Sequence, residues 1–415
     1  MSRETAPPGA ERPLRLFLVA GEHSGDALGA KLMAALKTQA PTGVTFAGVG
    51  GAGMAHEGLA SLFPLDEVAV MGPVAILQRL PSLVRRVHQT VDAAVAWNPD
   101  AVVIIDSPEF THPIAKRIAK RLPGVPVIDY VSPSVWAWRP GRAKKMRRYI
   151  DHVLCLLPFE PEVHQRLQGP PATYVGHPLI ERLDWIRGLD PSELAGRLGL
   201  MPGRPVLIVL PGSRASEVGR LMQPFGAAIA GLVARIGPVE ILIPTVPSVR
   251  ALVEDGVGQW PAQAGCAQIA PERFLLDETD KFKAFRLARA ALAASGTVTL
   301  ELALAGTPMV VAYKVEPLAT VLRFMLNTSS IVLANLVLGR NAFPELIQEN
   351  CTGDKLGAAL CQVMVEGSSV RAEQLAGLAE IGARMRLANG QAPSAAAAGV
   401  VMTHAAGQSR AGPRV

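Results

Sequence analysis

Short apolar runs recur along the chain between stretches of mixed polarity, the rhythm of buried strands alternating with amphipathic helices. Leu14-Arg-Leu-Phe-Leu-Val-Ala20 predicts a first strand, Gly21-Glu-His-Ser-Gly-Asp26 a loop, and the residues from about Ala27 to Leu36 a helix. Val44-Thr-Phe-Ala47 predicts the next strand. Val102-Val-Ile-Ile105, an unbroken β-branched run, reads as a strand buried on both faces. Val153 to Leu157 extends the series, and charged helical text then leads to Pro202. The rhythm restarts with Val206 to Leu210, Ile241 to Pro244, Ala288 to Ala294 and Met309 to Tyr313. The chain therefore reads as two α/β halves. Helical text follows through Leu338 and again from Lys355 to about Leu387; the Ala-, Gly- and Ser-rich tail from Asn389 reads as loose.

The loops after these strands hold the candidate chemistry, since open α/β sheets bind ligands at the carboxyl ends of their strands. Ser295-Gly296-Thr297 follows a strand and opens a short helix closed by Gly306-Thr-Pro308. Its main-chain amides, beside the positive end of the helix dipole, suit a phosphate, and Glu301, one turn on, suits sugar hydroxyls. Pro211-Gly212-Ser213-Arg214 offers further amides and a permanent cation for a diphosphate. In the first half, Ser24, Gly25 and Asp26 read equally well as helix caps or as a ligand loop. Asp106 ends its strand beside Pro108 and Phe110, where partial desolvation would raise its pKa toward that of a useful base. Gly48-Val-Gly50-Gly-Ala-Gly53 matches a dinucleotide fingerprint, but it follows the second strand and Gly58 interrupts the receiving helix.

At 415 residues with 49% hydrophobic and 18% charged positions, the chain is globular and long enough for two domains. A net charge of +6 favours anionic partners. The cysteines lie far apart with no Cys-x-x-Cys, as in a reduced cytoplasmic protein, and no apolar run reaches the ~20 residues of a spanning helix. Any membrane contact is therefore expected to be peripheral. Two stretches suit such contact: Val68 to His88, apolar then basic, and Trp136-Ala-Trp138-Arg139-Pro-Gly-Arg142 with the bases up to Arg148. The second could also stack on single-stranded nucleic acid, but no RNA-binding signature accompanies it. No Asp-x-Asp or metal-ligand cluster appears, and Asp277-Glu-Thr-Asp280 has the wrong spacing.

Gly21-Glu-His-Ser-Gly-Asp26, Ala69-Val-Met71-Gly72, Ile105-Asp106-Ser-Pro108, Tyr130-Val-Ser-Pro-Ser-Val-Trp-Ala-Trp-Arg139, Leu210-Pro-Gly-Ser-Arg214 and Ser295-Gly-Thr297 with Glu301 resemble the lipid-A-disaccharide synthase family over roughly residues 14 to 387. His23, Pro73 and Ala334 depart from its pattern. The resemblance implies a GT-B glycosyltransferase, α/β, with two Rossmann-like domains facing each other across a cleft. The expected division is a flexible 1–13, an acceptor and membrane domain 14–180, a donor domain 181–350, helices 351–388 and a disordered tail 389–415. The implied reaction is inverting transfer of diacylglucosamine from UDP to the 6-hydroxyl of diacylglucosamine 1-phosphate.

In that reading Asp106 is the base. Gly212, Ser213, Arg214, Ser295, Gly296, Thr297, Glu301, Asn335 and Arg340 form the donor site. Ser24, Gly25, Asp26, Met71, Trp136, Trp138, Arg139 and Arg142 serve the acceptor or the membrane. No cofactor, metal or nucleic acid is expected; the partners are the two acylated glucosamines and an anionic inner-membrane surface on the cytoplasmic side, and a homodimer rests on the resemblance alone. The rivals are another UDP-sugar enzyme of this architecture, such as a UDP-N-acetylglucosamine 2-epimerase, and a non-catalytic lipid- or RNA-binding protein.

Overall fold

The computed structural model describes residues 12–69, 73–261, 269–315 and 328–407, those of 73–78 by backbone alone. Two compact units result, one formed by Met1–Pro178 with Leu387–Val415 and the other by Leu179–Arg386.

The first unit holds a parallel sheet of β1 (Leu14–Ala20), β2 (Val44–Val49), β3 (Ala101–Ile105), β4 (Val127–Tyr130), β5 (His152–Cys155) and β6 (Ala172–Tyr174), in the order β2-β1-β3-β4-β5-β6. All five residues of β3 are inaccessible to solvent, because helices cover both faces of the sheet. The second unit repeats the plan with β7 (Val206–Leu210), β8 (Glu240–Leu242), β9 (Ala290–Ala294), β10 (Met309–Tyr313) and β11 (Glu345–Ile347), ordered β11-β10-β9-β7-β8. In each sheet the chain steps outward from its first strand and then crosses back. That reversal opens a crevice at the carboxyl ends of β1 and β3 in one unit, and of β7 and β9 in the other. Asp106 directly follows β3. Arg214 and Ser295 follow β7 and β9.

The ends of the chain depart from expectation. Residues 393 to 406 form a helix, Pro393–Ala406, whose Ala397, Ala398 and Val401 are fully buried with Leu32 and Leu36 of the helix His23–Gln39. Gln39 donates from Nε2 to the Ala395 carbonyl at 3.1 Å. The tail composition was misleading for a physical reason: alanine is the strongest helix former, and its small side chain lets two helices approach closely. The segment belongs to the first unit, while the helices Gly353–Met364 and Ser369–Met385 before it belong to the second. At the other end, Arg12 is fastened through Nη1 to Asp100 at 2.7 Å, so order begins before residue 14; residues 1–11 lie outside the described ones. Among the described residues no helix is long and apolar enough to cross a membrane.

Candidate functional site

In the second unit, β7 and β9 are direct neighbours, with Leu210 opposite Ala293, so the turns that follow them lie side by side. Between them opens a pocket of about 550 Å³ lined by Gly212, Ser213, Arg214, Ser295, Gly296, Thr297 and Glu301. Gly212 adopts φ +120°, a conformation that suits glycine and lets the main chain approach a ligand. Gly296 and Thr297 are exposed, and their amides find no partner among the described residues. The expected amide of Ser295 is not available, because it donates to the Ala312 carbonyl at 3.0 Å to continue the sheet, while its hydroxyl bonds the Ile331 carbonyl. Arg214, 65% exposed, sets Nη1 at 3.2 Å from Glu217. Glu301 faces Lys281 at 2.9 Å. Glu217 and Lys281 line the pocket too and were not singled out from the sequence. The signal for Glu217 was its place in the first turn of the helix Ala215–Ile236, one turn beyond Arg214.

Two expected donor residues are not on the pocket wall, though Glu345 links one of them, Asn335, to Ile331, whose carbonyl accepts from Ser295. Asn335 is buried, with Oδ1 accepting from the Phe343 amide and Nδ2 donating to the Phe343 carbonyl and to Glu345. Its amide group staples a turn, with both N–H donors engaged and one lone pair of Oδ1 in use. Arg340 forks onto the Glu380 carboxylate, which holds it away from the pocket lining.

In the first unit, Asp106 and Ser107 adopt φ +55° and +44°, left-handed conformations rare outside glycine. Oδ1 accepts from the Ser107 amide at 2.7 Å, and the Ser24 hydroxyl lies 3.4 Å from Oδ2 while donating to Glu22. Burial, reinforced by the negative charge of Glu22, pushes the Asp106 carboxyl up to about 6, against the opposing pull of the Ser107 amide. That value suits a base that must be ionised near neutrality. Gly21 makes the close packing possible, since a β-carbon there would fall 2.4 Å from that of Ser107. Glu22 and Ser107 also border a pocket of about 520 Å³ with apolar walls of Leu83, Val84 and Phe110, and Arg117 at its edge.

The remaining first-unit candidates divide. Gly25 packs its backbone against β3, where a β-carbon would meet the Ile105 carbonyl at 3.1 Å. Asp26 is not an acceptor ligand. Its buried carboxylate receives the amides of Gly51, Gly53 and Met54 at 2.7, 2.9 and 3.0 Å. A protein carboxylate thus fills the anion cradle of the glycine-rich loop, which explains why that loop is no dinucleotide site. Trp136 faces inward, its ring edge-on to Phe159 and its indole N–H 3.3 Å from the buried Glu160, whose carboxyl burial pushes up to about 7. The ring is partly buried, and its polar N–H turns to the protein rather than to solvent. Trp138 is capped by the Arg139 guanidinium at 4.3 Å, and Arg142 pairs with Glu109 at 2.6 Å. Met71 lies outside the described residues. Among them no group of three or more His, Cys, Asp or Glu side chains is placed to hold a metal ion.

Comparison with known proteins identifies the family and the fold. The family profile described as lipid-A-disaccharide synthetase matches residues 16–400. The chain is 50% identical over 403 residues to the lipid-A-disaccharide synthase of Rhodopseudomonas palustris strain HaA2, covering 97% of this chain and 98% of that one. It is 48% identical over 392 residues to that of Nitrobacter hamburgensis, covering 94% and 95%. Among solved structures, a UDP-GlcNAc 2-epimerase from Neisseria meningitidis bound to UDP-GlcNAc superposes with a TM-score of 0.61 at 12% identity, over 94% of this chain and 99% of that one. A glycosyltransferase from Rickettsia africae gives a TM-score of 0.57 at 11% identity, over 95% and 98%. These structural likenesses speak for the GT-B fold alone, and the epimerase reading gains nothing at such low identity. On the sequence relatives and the matched profile, the chain belongs to the lipid-A-disaccharide synthase family, glycosyltransferases of lipid A biosynthesis.

Proposed function

We propose that the chain moves 2,3-diacylglucosamine from its UDP derivative onto the 6-hydroxyl of 2,3-diacylglucosamine 1-phosphate, with inversion and without a metal or cofactor. The observation that carries the reading is the pairing of the two β7 and β9 turns around one pocket, with Arg214 and the amides of Gly296 and Thr297 on its wall. These donors suit a diphosphate, and Glu301 lies one turn further along the helix, where ribose hydroxyls would reach it. In the reaction Asp106 takes the proton of the acceptor hydroxyl as its oxygen attacks the anomeric carbon. The bond from that carbon to the diphosphate oxygen breaks, and its electron pair leaves with UDP. Arg214 and the amides stabilise that developing charge. One displacement gives inversion, and a diphosphate leaves without needing a proton.

The acyl chains call for apolar surface, and the pocket beside Asp106 supplies it. Leu80 and Val84, on the helix Pro73–Trp97, are 47% and 46% exposed at its mouth. Each methylene buried there is worth ~0.8 kcal/mol. With Trp136 packed inward, docking on an anionic inner-membrane surface falls to Leu80, Val84 and the exposed Lys144, Lys145, Arg147 and Arg148. The test is to incubate the pure protein with both lipid substrates in EDTA and to follow the disaccharide by mass spectrometry. No product without EDTA would reject the reaction, and loss of product only in EDTA would reject its metal independence.

A further inference from the structure

Glu217 makes contacts at the β7 turn that go beyond capping a helix. Its Oε2 accepts from the Ser213 main-chain amide at 3.2 Å, and its Oε1 from Arg214 Nη1 at 3.2 Å. The side chain folds so closely over Gly212 that a β-carbon there would lie 2.7 Å from Oε2. It is 14% exposed, whereas Arg214 is 65% exposed. An amide at the start of a helix and a guanidinium are the donors by which a phosphate group is held. A carboxylate and a phosphate oxygen compete for such donors, since both are anions that accept from the same N–H directions.

We propose that Glu217 is a built-in competitor for the diphosphate of the donor. It engages the phosphate's own donors, must release them for the nucleotide to bind, and retakes them as UDP departs. The inference rests on the donor-site reading above and adds what sets its affinity. The rest of the wall works in the same direction. Glu217, Asp277, Glu278 and Glu301 contribute four carboxylates to the lining against the two cations Arg214 and Lys281; Lys281 is engaged by Glu301, and Glu278 is offset by Arg182 at 2.8 Å from outside the lining. Such a lining holds a nucleoside diphosphate weakly and favours its exit. A transferase that must discharge UDP in every turnover benefits from that bias.

The experiment is calorimetric titration of UDP into the full-length protein, its Glu217→Gln and Arg214→Ala variants, with UDP inhibition of transfer measured alongside. Gln keeps the shape of the side chain and removes its charge. Glu217→Gln is expected to bind UDP about tenfold more tightly, from the worth of a hydrogen bond to a charged group. UDP should then inhibit transfer at a correspondingly lower concentration, with the thermal midpoint without UDP unchanged. Should Glu217→Gln fold and bind UDP equally or more weakly while Arg214→Ala loses UDP binding, the inference is overturned and the donor site stands; Glu217 would then only orient Arg214. If neither the natural protein nor Glu217→Gln binds UDP, the donor-site reading falls and the inference with it. Should Glu217→Gln not fold, Glu217→Asp withdraws the carboxylate by one methylene. It should also tighten UDP binding, by a few-fold, and a failure to do so counts equally against the proposal.

Discussion

Replacing Asp106 with Asn removes the base while leaving its surroundings intact, and the structure gives the size of a second effect. Asn tolerates the φ of +55° and its amide oxygen can still accept from the Ser107 N–H. What disappears is a charge that burial and the neighbouring Glu22 both disfavour, having pushed the carboxyl from 3.8 to about 6. That displacement corresponds to about 3 kcal/mol. Because the folded pKa lies above the unfolded one, the folded chain holds a proton that the unfolded chain has lost between roughly pH 4 and 6. Stability therefore falls as pH rises through that window, and the penalty is complete above it. At pH 7.5 the Asp106→Asn protein should be more stable by up to ~3 kcal/mol, raising the first-unit melting temperature by about 6–12 °C. At pH 4.5 the margin should shrink to about 1 kcal/mol. Transfer should meanwhile fall by about 10²–10⁴-fold, with UDP binding retained. Scanning calorimetry at the two pH values, beside a transfer assay, reads both effects. A gain that is absent at pH 7.5, or equal at both pH values, would show that the Asp106 charge carries no penalty. Normal turnover would remove it from the mechanism.

Asp26→Ala strips three main-chain amides of their buried acceptor and should cost about 3–5 kcal/mol, seen in calorimetry, without altering UDP affinity. Arg214→Ala should weaken UDP binding by about 10–100-fold in titration, with the melting temperature unchanged. Ending the chain after Asn389 removes the helix Pro393–Ala406 and uncovers Leu32 and Leu36. Its first unit should melt earlier and bind a hydrophobic dye, while the second unit still takes UDP.

The strands were legible wherever a buried β-branched or aliphatic run had to form one: Val206–Leu210 and Met309–Tyr313 lie where the apolar text placed them. β4 hides in text that reads as surface, because Asp129 interrupts it and tryptophans and bases follow, while β6 and β11 escape notice because three residues at a sheet edge are too few to show a period. The turns at Arg214 and Ser295 could be found because small residues after a strand restrict what the backbone does. Side-chain direction could not. Asn335, Arg340 and Trp136 sit in suggestive text, yet each is turned toward a partner that its own text does not reveal: the Phe343 backbone, Glu380 and Glu160. Asp26 illustrates the same limit, since nothing local reveals that a residue after β1 will meet a loop after β2.

The return of the last helix to the first unit has a consequence for biosynthesis. A chain leaving the ribosome usually matures from its amino-terminal domain onward. Here the layer over Leu32 and Leu36 is added only after the whole intervening unit has been made. The amino-terminal unit therefore waits, with an oily flank uncovered, until the helix Pro393–Ala406 has been made. A ribosome that stalls before residues 393 to 406 emerge leaves it unfinished and a target for chaperones.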